Sequence, residues 1–211
     1  MGMMIEGVWH VEEPASGSAD DGKYRRTVSS FRNWITPDGA PGGEDCAGDF
    51  QAEAGRYHLY VALGCPWAHR TMIVRALKGL EDLISLDVVL PKRSAEGWVF
   101  EPKPGANSDS LLGRQALHEI YAAADAAFSG RVTVPVLWDK KRQTIVNNES
   151  SEIIRMLNSA FDDVGARGPD LYPEGLRADI DAVNAETYRS VNNGVYRNLF
   201  WRRFSYFFKR K

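Results

Sequence analysis

Apolar and polar positions along the chain change period several times, and each change marks an element. HLYVAL, residues 58–63, is an unbroken apolar run closed by Gly64, the pattern of a strand buried on both faces. From Ala68 the apolar positions fall at Ala68, Met72, Ile73, Ala76, Leu77 and Leu80, with Gly79 near the end. This spacing predicts a helix. LISLDVVL, residues 83–90, reads as a second strand. Strand, helix and strand joined by short links predict a parallel pair with a crossover helix.

A polar stretch over about 91–114, containing Trp98, precedes another helical stripe at Leu117, Ile120, Tyr121, Ala124 and Phe128. VTVPVLWD (132–139) and TIVNN (144–148) read as two short strands, and Asp139–Arg142 between them reads as a hairpin turn. Ile153, Ile154, Leu157 and Phe161 give a third helix. The order predicts a small α/β domain over 56–164, with a mixed four-stranded sheet and helices on both faces.

The flanks differ. Residues 1–55 are rich in Gly, Pro, Asp and Ser, and EPASGSADDG reads as flexible. SSFRNWIT, residues 29–36, breaks that pattern with aromatics, so the segment is expected to be an arm that packs on the body. GARGPDLYPEG, residues 165–175, reads as a linker. Beyond it Leu176, Ile180, Val183, Thr187, Val191 and Val195 share one helix face, with Asn192-Asn193-Gly194 placed to kink it. Residues 176–211 thus start a second, helical region. NLFWRRFSYFFKRK, residues 198–211, carries six aromatic and five basic side chains. Such a segment can lie on a membrane surface. The reading preferred here is a tail unrelated to the body, left by a frameshift or truncation.

Composition narrows the function classes. A net charge of −2 and a pI near 6.1 argue against nucleic-acid binding, which needs a basic excess. No apolar run reaches the roughly 18 residues of a membrane span, and the start lacks the pattern of a signal peptide. The two cysteines, Cys46 and Cys65, make no disulfide framework. No C-x-x-C or H-x-x-x-H spacing suggests a metal site, and His10, His58, His69 and His118 are scattered. A free thiol fits a reducing, cytoplasmic setting. Cys46 lies in the arm and receives no role.

Three places carry candidate chemistry. In LGCPWAHR, Cys65 stands where a strand gives way to a helix. There it meets unpaired backbone N–H groups and the positive end of the helix dipole, which favour an anionic sulfur. Pro66 suits the first helical position, and His69 and Arg70 can add positive charge within one turn. A buried structural cysteine is the plain alternative; the strand–Gly–Cys-Pro–helix context favours a reactive thiol. Val134-Pro135 opens a strand that should lie inside the sheet. A cis peptide there would leave the Val134 backbone for a bound peptide; a trans strand start is the alternative. Glu149-Ser150 precedes the third helix. It suits an amino-acid terminus, with Ser150 and the helix dipole at the carboxylate and Glu149 at the amino group. N-capping explains the same residues.

Taken together, the cysteine at the first helix, the Val-Pro opening a strand and the Glu-Ser before the next helix resemble the thioredoxin-like domain of glutathione transferases. LGCPWAHR, SSFRNWIT and GRVTVPVLWDKK followed by TIVNNES resemble more closely the glutathionyl-hydroquinone reductases of the Xi class, from about residue 24 to Arg197. The resemblance implies glutathione as co-substrate, a glutathionylated hydroquinone as substrate, and no metal. It implies Cys65 as nucleophile, with Trp98, Arg131 and the Val134 backbone at the glutathione peptide and Glu149 and Ser150 at its γ-glutamyl end. Taken alone, Trp98 reads equally as a core or loop aromatic and Arg131 as a surface charge. The family is typically a homodimer, and its members continue into a full helical domain where this sequence has NLFWRRFSYFFKRK. The helix face at 176–195 is therefore expected to lack partners. An Omega-like thioltransferase or dehydroascorbate reductase, which needs the same cysteine, and a non-catalytic glutathione-binding module remain as alternatives.

Overall fold

The computed structural model describes residues 2–11, 29–43 and 48–192. EPASGSADDG, Cys46, Val195 and the 198–211 tail lie outside the described residues. The chain divides into two compact units, one of residues 1–14 and 28–170, the other of 15–27 and 171–211.

The first unit is built on β3 (Tyr57–Ala62), the predicted run shifted by one residue, with all six residues buried. Helix α1 (Pro66–Leu77) follows and leads to β4 (Ile84–Val89), which pairs with β3 in parallel. The helix ends in a glycine-dependent stop. Gly79, at φ 61°, donates to Ala76 O, and Leu80 donates to Arg75 O. This Schellman pair of bonds needs a left-handed residue that only glycine adopts without cost. β5 (Val136–Asp139) lies antiparallel to β3, and β6 (Thr144–Asn147) antiparallel to β5. The sheet order is β4-β3-β5-β6, a mixed four-stranded sheet as the pattern predicts. Helix α3 (Ser150–Ser159) packs against α1, and α2 (Leu117–Ala124) lies against β6.

Two boundaries differ from the pattern by four residues. The strand expected over 132–139 begins only at Val136, because Pro135 has no N–H for the ladder. The second helix ends at Ala124, with Asp125 in extended conformation. Phe128 therefore joins the core from a turn, its ring 5.0 Å from Tyr121 and 5.6 Å from Phe31.

The arm is bonded to the body. Asn33 N–H donates to Val146 O and Asn148 N–H to Phe31 O, so residues 31–33 run along β6 and cover that sheet edge. Arg32 forms an ion pair with Glu152 of α3. Upstream is a hairpin absent from the sequence reading, β1 (Met3–Ile5) and β2 (Val8–His10). Its turn places Glu6 at φ 48° and Gly7 at φ 78°, and a side chain at Gly7 would meet Ala126 O at 1.9 Å.

The 90–116 stretch is ordered by buried carboxylates. Asp87 of β4 accepts from Ser110 N–H and Oγ–H and from Asn107 Nδ2. Asp109 accepts from the Tyr60 hydroxyl at 3.1 Å and from the N–H groups of Leu111, Leu112 and Arg114.

In the second unit, a 3-10 turn (Glu174–Leu176) leads into α4 (Arg177–Thr187). The described part of the face predicted over 176–195 is helical, with a π-helical turn at Tyr188–Asn192; Asn193 and Gly194 of the expected kink lie outside the described residues. Leu176, Val183, Tyr188 and Val191 are exposed.

Candidate active site

Cys65 is the residue that caps α1. Its backbone is extended (φ −103°, ψ 112°) while its carbonyl already accepts from His69 N–H at 2.9 Å. Pro66 fills the first helical position, where the absent N–H costs no bond. The thiol is free and half-buried. Its Sγ lies 3.7 Å from the carbonyl oxygen of Val134. Val134–Pro135 is a cis peptide. The fold thus brings the cysteine at the start of α1 to the turn that precedes β5, from 69 residues away.

The second centre forms at the start of α3. Glu149 caps this helix by accepting from Ser151 N–H at 3.3 Å. Its other oxygen accepts from Ser29 Oγ of the arm at 3.1 Å. Ser150 is buried. Its Oγ accepts from Arg70 Nε at 3.0 Å and Nη2 at 2.6 Å. A guanidinium has no acceptor, so Arg70 fixes the serine oxygen as the acceptor and leaves its hydrogen to donate elsewhere. The N–H groups at the start of α3 add positive potential. The same guanidinium lies 3.8 Å from Glu149 Oε1 and 5.1 Å from the Trp67 ring. A carboxylate beside a hydroxyl donor at a helix N-terminus matches the amino and carboxylate groups of a free amino-acid end.

The two centres offer a thiol beside a backbone carbonyl and a carboxylate–hydroxyl pair at a helix N-terminus. The sequence family "Glutathione S-transferase, N-terminal domain" matches residues 64–160. Residues 64–160 form a glutathione S-transferase N-terminal domain. Over 198 residues the chain is 54% identical to the glutathionyl-hydroquinone reductase YqjG of Escherichia coli K12, covering 93% of this chain and 60% of that one. The glutathione-bound structure of YqjG superposes with a TM-score of 0.81 at 52% identity, over 92% of this chain and 57% of that one. A Xi-class transferase from Natrialba magadii gives a TM-score of 0.79 at 44% identity, over 93% and 57%. Over the span they share, the chain is a homologue of the glutathionyl-hydroquinone reductases. It spans about 60% of the length of the curated relatives it matches.

Other residues of this transferase domain hold less direct positions. Trp98 is half-buried in the stretch between β4 and α2. Its carbonyl accepts from Leu117 N–H at 2.8 Å, and Arg93 stands 5.3 Å over its ring. Arg131 is half-buried, three residues before Val134. No described contact joins either to Cys65. Arg70, expected to add positive charge within one turn of Cys65, directs its guanidinium to Ser150 and Glu149, which are 80 and 79 positions along the chain. Ser29 also went unnoticed, since nothing local marks a serine in the arm as a partner of Glu149. Among the described residues, no group of three or more His, Cys, Asp or Glu is arranged to hold a metal. None of the described helices is long and apolar enough to cross a membrane.

Proposed function

We propose that this chain carries the glutathione-dependent chemistry of a glutathionyl-hydroquinone reductase, with Cys65 as the nucleophile. The observation that carries this reading is the free Cys65 thiol capping α1, 3.7 Å from the Val134 carbonyl. The Cys65 thiolate attacks the sulfur of a glutathionyl-hydroquinone. An S–S bond forms to glutathione as the C–S bond to the ring breaks. The ring carbon keeps that electron pair and takes a proton, so the hydroquinone leaves reduced. The thiolate of a second glutathione attacks the mixed disulfide, forming oxidised glutathione and returning Cys65 as thiolate.

In this scheme the Val134 backbone aligns the cysteinyl part of glutathione, Glu149 holds its ammonium group and Ser150 donates to its γ-glutamyl carboxylate. Trp98 packs against the tripeptide and Arg131 supplies positive charge to it. A cytoplasmic setting, where glutathione is abundant and thiols stay reduced, suits this chemistry.

The test is the intact mass of the purified chain after exposure to a glutathionyl-hydroquinone, with and without a reductant. One reducible glutathione adduct on Cys65, absent from Cys65→Ser, is the expected result. A folded chain that forms no adduct, or an adduct that persists in Cys65→Ser, overturns the reading. A rate on small glutathione mixed disulfides exceeding that on the hydroquinone conjugate would instead assign an Omega-like thioltransferase activity.

A further inference from the structure

One buried hydroxyl joins the two halves of the site. Tyr121 of α2 is fully buried. Its hydroxyl donates to Thr133 O at 3.0 Å and accepts from Asn148 Nδ2 at 3.0 Å and from Thr133 N–H at 3.3 Å. A phenol has one hydrogen and two lone pairs, and all three are engaged. Burial holds the hydroxyl protonated well above its ordinary range, so the donated bond persists at any working pH.

The two partners are the residues directly before the proposed anchors. Thr133 O belongs to the Thr133–Val134 peptide, which is not among the cis bonds of the described chain. In a trans peptide the carbonyl and the next N–H point in opposite directions. Tying Thr133 O to Tyr121 therefore aims Val134 N–H away from α2. On the other side, Asn148 precedes Glu149. Its Nδ2 is held by Tyr121 while its Oδ1 accepts from Phe31 N–H at 3.3 Å. The Phe31 ring meets that of Tyr121 edge-on at 5.8 Å. Beside the β5–β6 pairing, in which Leu137 faces Asn147, a single oxygen thus ties the residue before Val134 to the residue before Glu149.

We propose that Tyr121 is a positioning residue that sets the span between the cysteinyl and γ-glutamyl anchors, and so selects thiols that carry a γ-glutamyl group. This rests on the glutathione reading above. The probes are two disulfides, oxidised glutathione and the disulfide of cysteinylglycine, which lacks the γ-glutamyl group. In each, the Cys65 thiolate bonds to one sulfur, the probe's S–S bond breaks, and the other half leaves as a thiolate that takes up a proton from water. Second-order rates follow from the intact mass of the full chain.

The readout is the ratio of the two rates. Wild type is expected to favour oxidised glutathione, and Tyr121→Phe to lower that ratio about tenfold. A general loosening of the domain would slow both reactions together and leave the ratio where it was. Tyr121→Phe in a Glu149→Gln background should lower the ratio no further, since both act on one anchor. Asn148→Ala, which spares the phenol and its bonds to Thr133, should lower it in the same direction, and it decides the matter if Tyr121→Phe does not fold. An unchanged ratio in a folded Tyr121→Phe, or in Asn148→Ala, overturns the role of Tyr121 alone. A wild type with no preference between the probes removes the glutathione reading, and this proposal with it.

Discussion

Replacing Arg70 tests how the proposed γ-glutamyl anchor is built. Its guanidinium forks onto Ser150 Oγ at 3.0 and 2.6 Å, lies 3.8 Å from the Glu149 carboxylate and stands 5.1 Å from the Trp67 ring. The fork ends on one buried oxygen and counts as one charge-assisted bond, about 1.5–3 kcal/mol. The Arg70 side chain is 34% exposed, so the ion pair adds at most about 0.5 kcal/mol and the ring about 0.5 kcal/mol. Freeing a long side chain returns about 1 kcal/mol of entropy. Arg70→Met should therefore lose about 2 kcal/mol of stability, a fall of roughly 1 M in the urea midpoint for a chain of this size. The larger interest is binding. Without the guanidinium, Ser150 Oγ is no longer held as an acceptor with its hydrogen turned to the ligand. Titration calorimetry with S-methylglutathione, which cannot form a disulfide, should show about tenfold weaker binding, or about 1.4 kcal/mol. Arg70→Lys, a point charge that cannot fork, should fall between. If the guanidinium acts through Ser150, Ser150→Ala and Arg70→Met lose similar affinity and the double variant loses little more. Losses that add, or an Arg70→Met that binds like wild type, would refute the argument.

Two further predictions concern the frame around the site. Arg56 clasps Asp139 at the end of β5 at 2.5–3.1 Å, with side chains 6% and 0% exposed. Arg56→Met strands that carboxylate in the core and should cost about 3–5 kcal/mol in urea denaturation; a loss below about 1 kcal/mol would mean the pair is not buried as described. Asp87 governs the acid limb. Burial pushes its carboxyl up, but the His58 ring 3.3 Å away and hydrogen bonds from Ser110 and Asn107 outweigh this and hold it at about 2, against 3.8 unperturbed. A depressed folded value gives stability that is complete above the unfolded pKa and lost as pH falls toward the folded one. The gap corresponds to about 2 kcal/mol. The stability advantage of wild type over Asp87→Asn should shrink by that amount between pH 5 and pH 2, and an advantage constant across that range would contradict the assignment.

What the sequence shows and hides follows from where a residue stands in its element. β3 was legible because both its faces are buried, which leaves an unbroken apolar run. Cys65, Pro135 and Glu149 were legible because each stands where one period gives way to another, at the edge of α1, β5 or α3. At such a boundary, backbone groups lack partners and residue choice is narrow. The β1–β2 hairpin has three residues to a strand and a Glu-Gly turn, too short for alternation to register. Arg70 and Tyr121 were hidden for a different reason. Both sit inside helices, where the helical repeat already accounts for them, one as a polar position and the other as an apolar one. Their functional atoms are spoken for by residues 80, 12 and 27 positions away. Local pattern is satisfied by the ring of Tyr121 and says nothing of its oxygen. In this fold Cys65, Val134, Glu149 and Ser150, four of the groups proposed to touch glutathione, stand at or just before element starts, and Arg70 and Tyr121, proposed to orient them, are drawn from helix interiors. A reading of spacing alone therefore finds the chemistry before it finds what aims it.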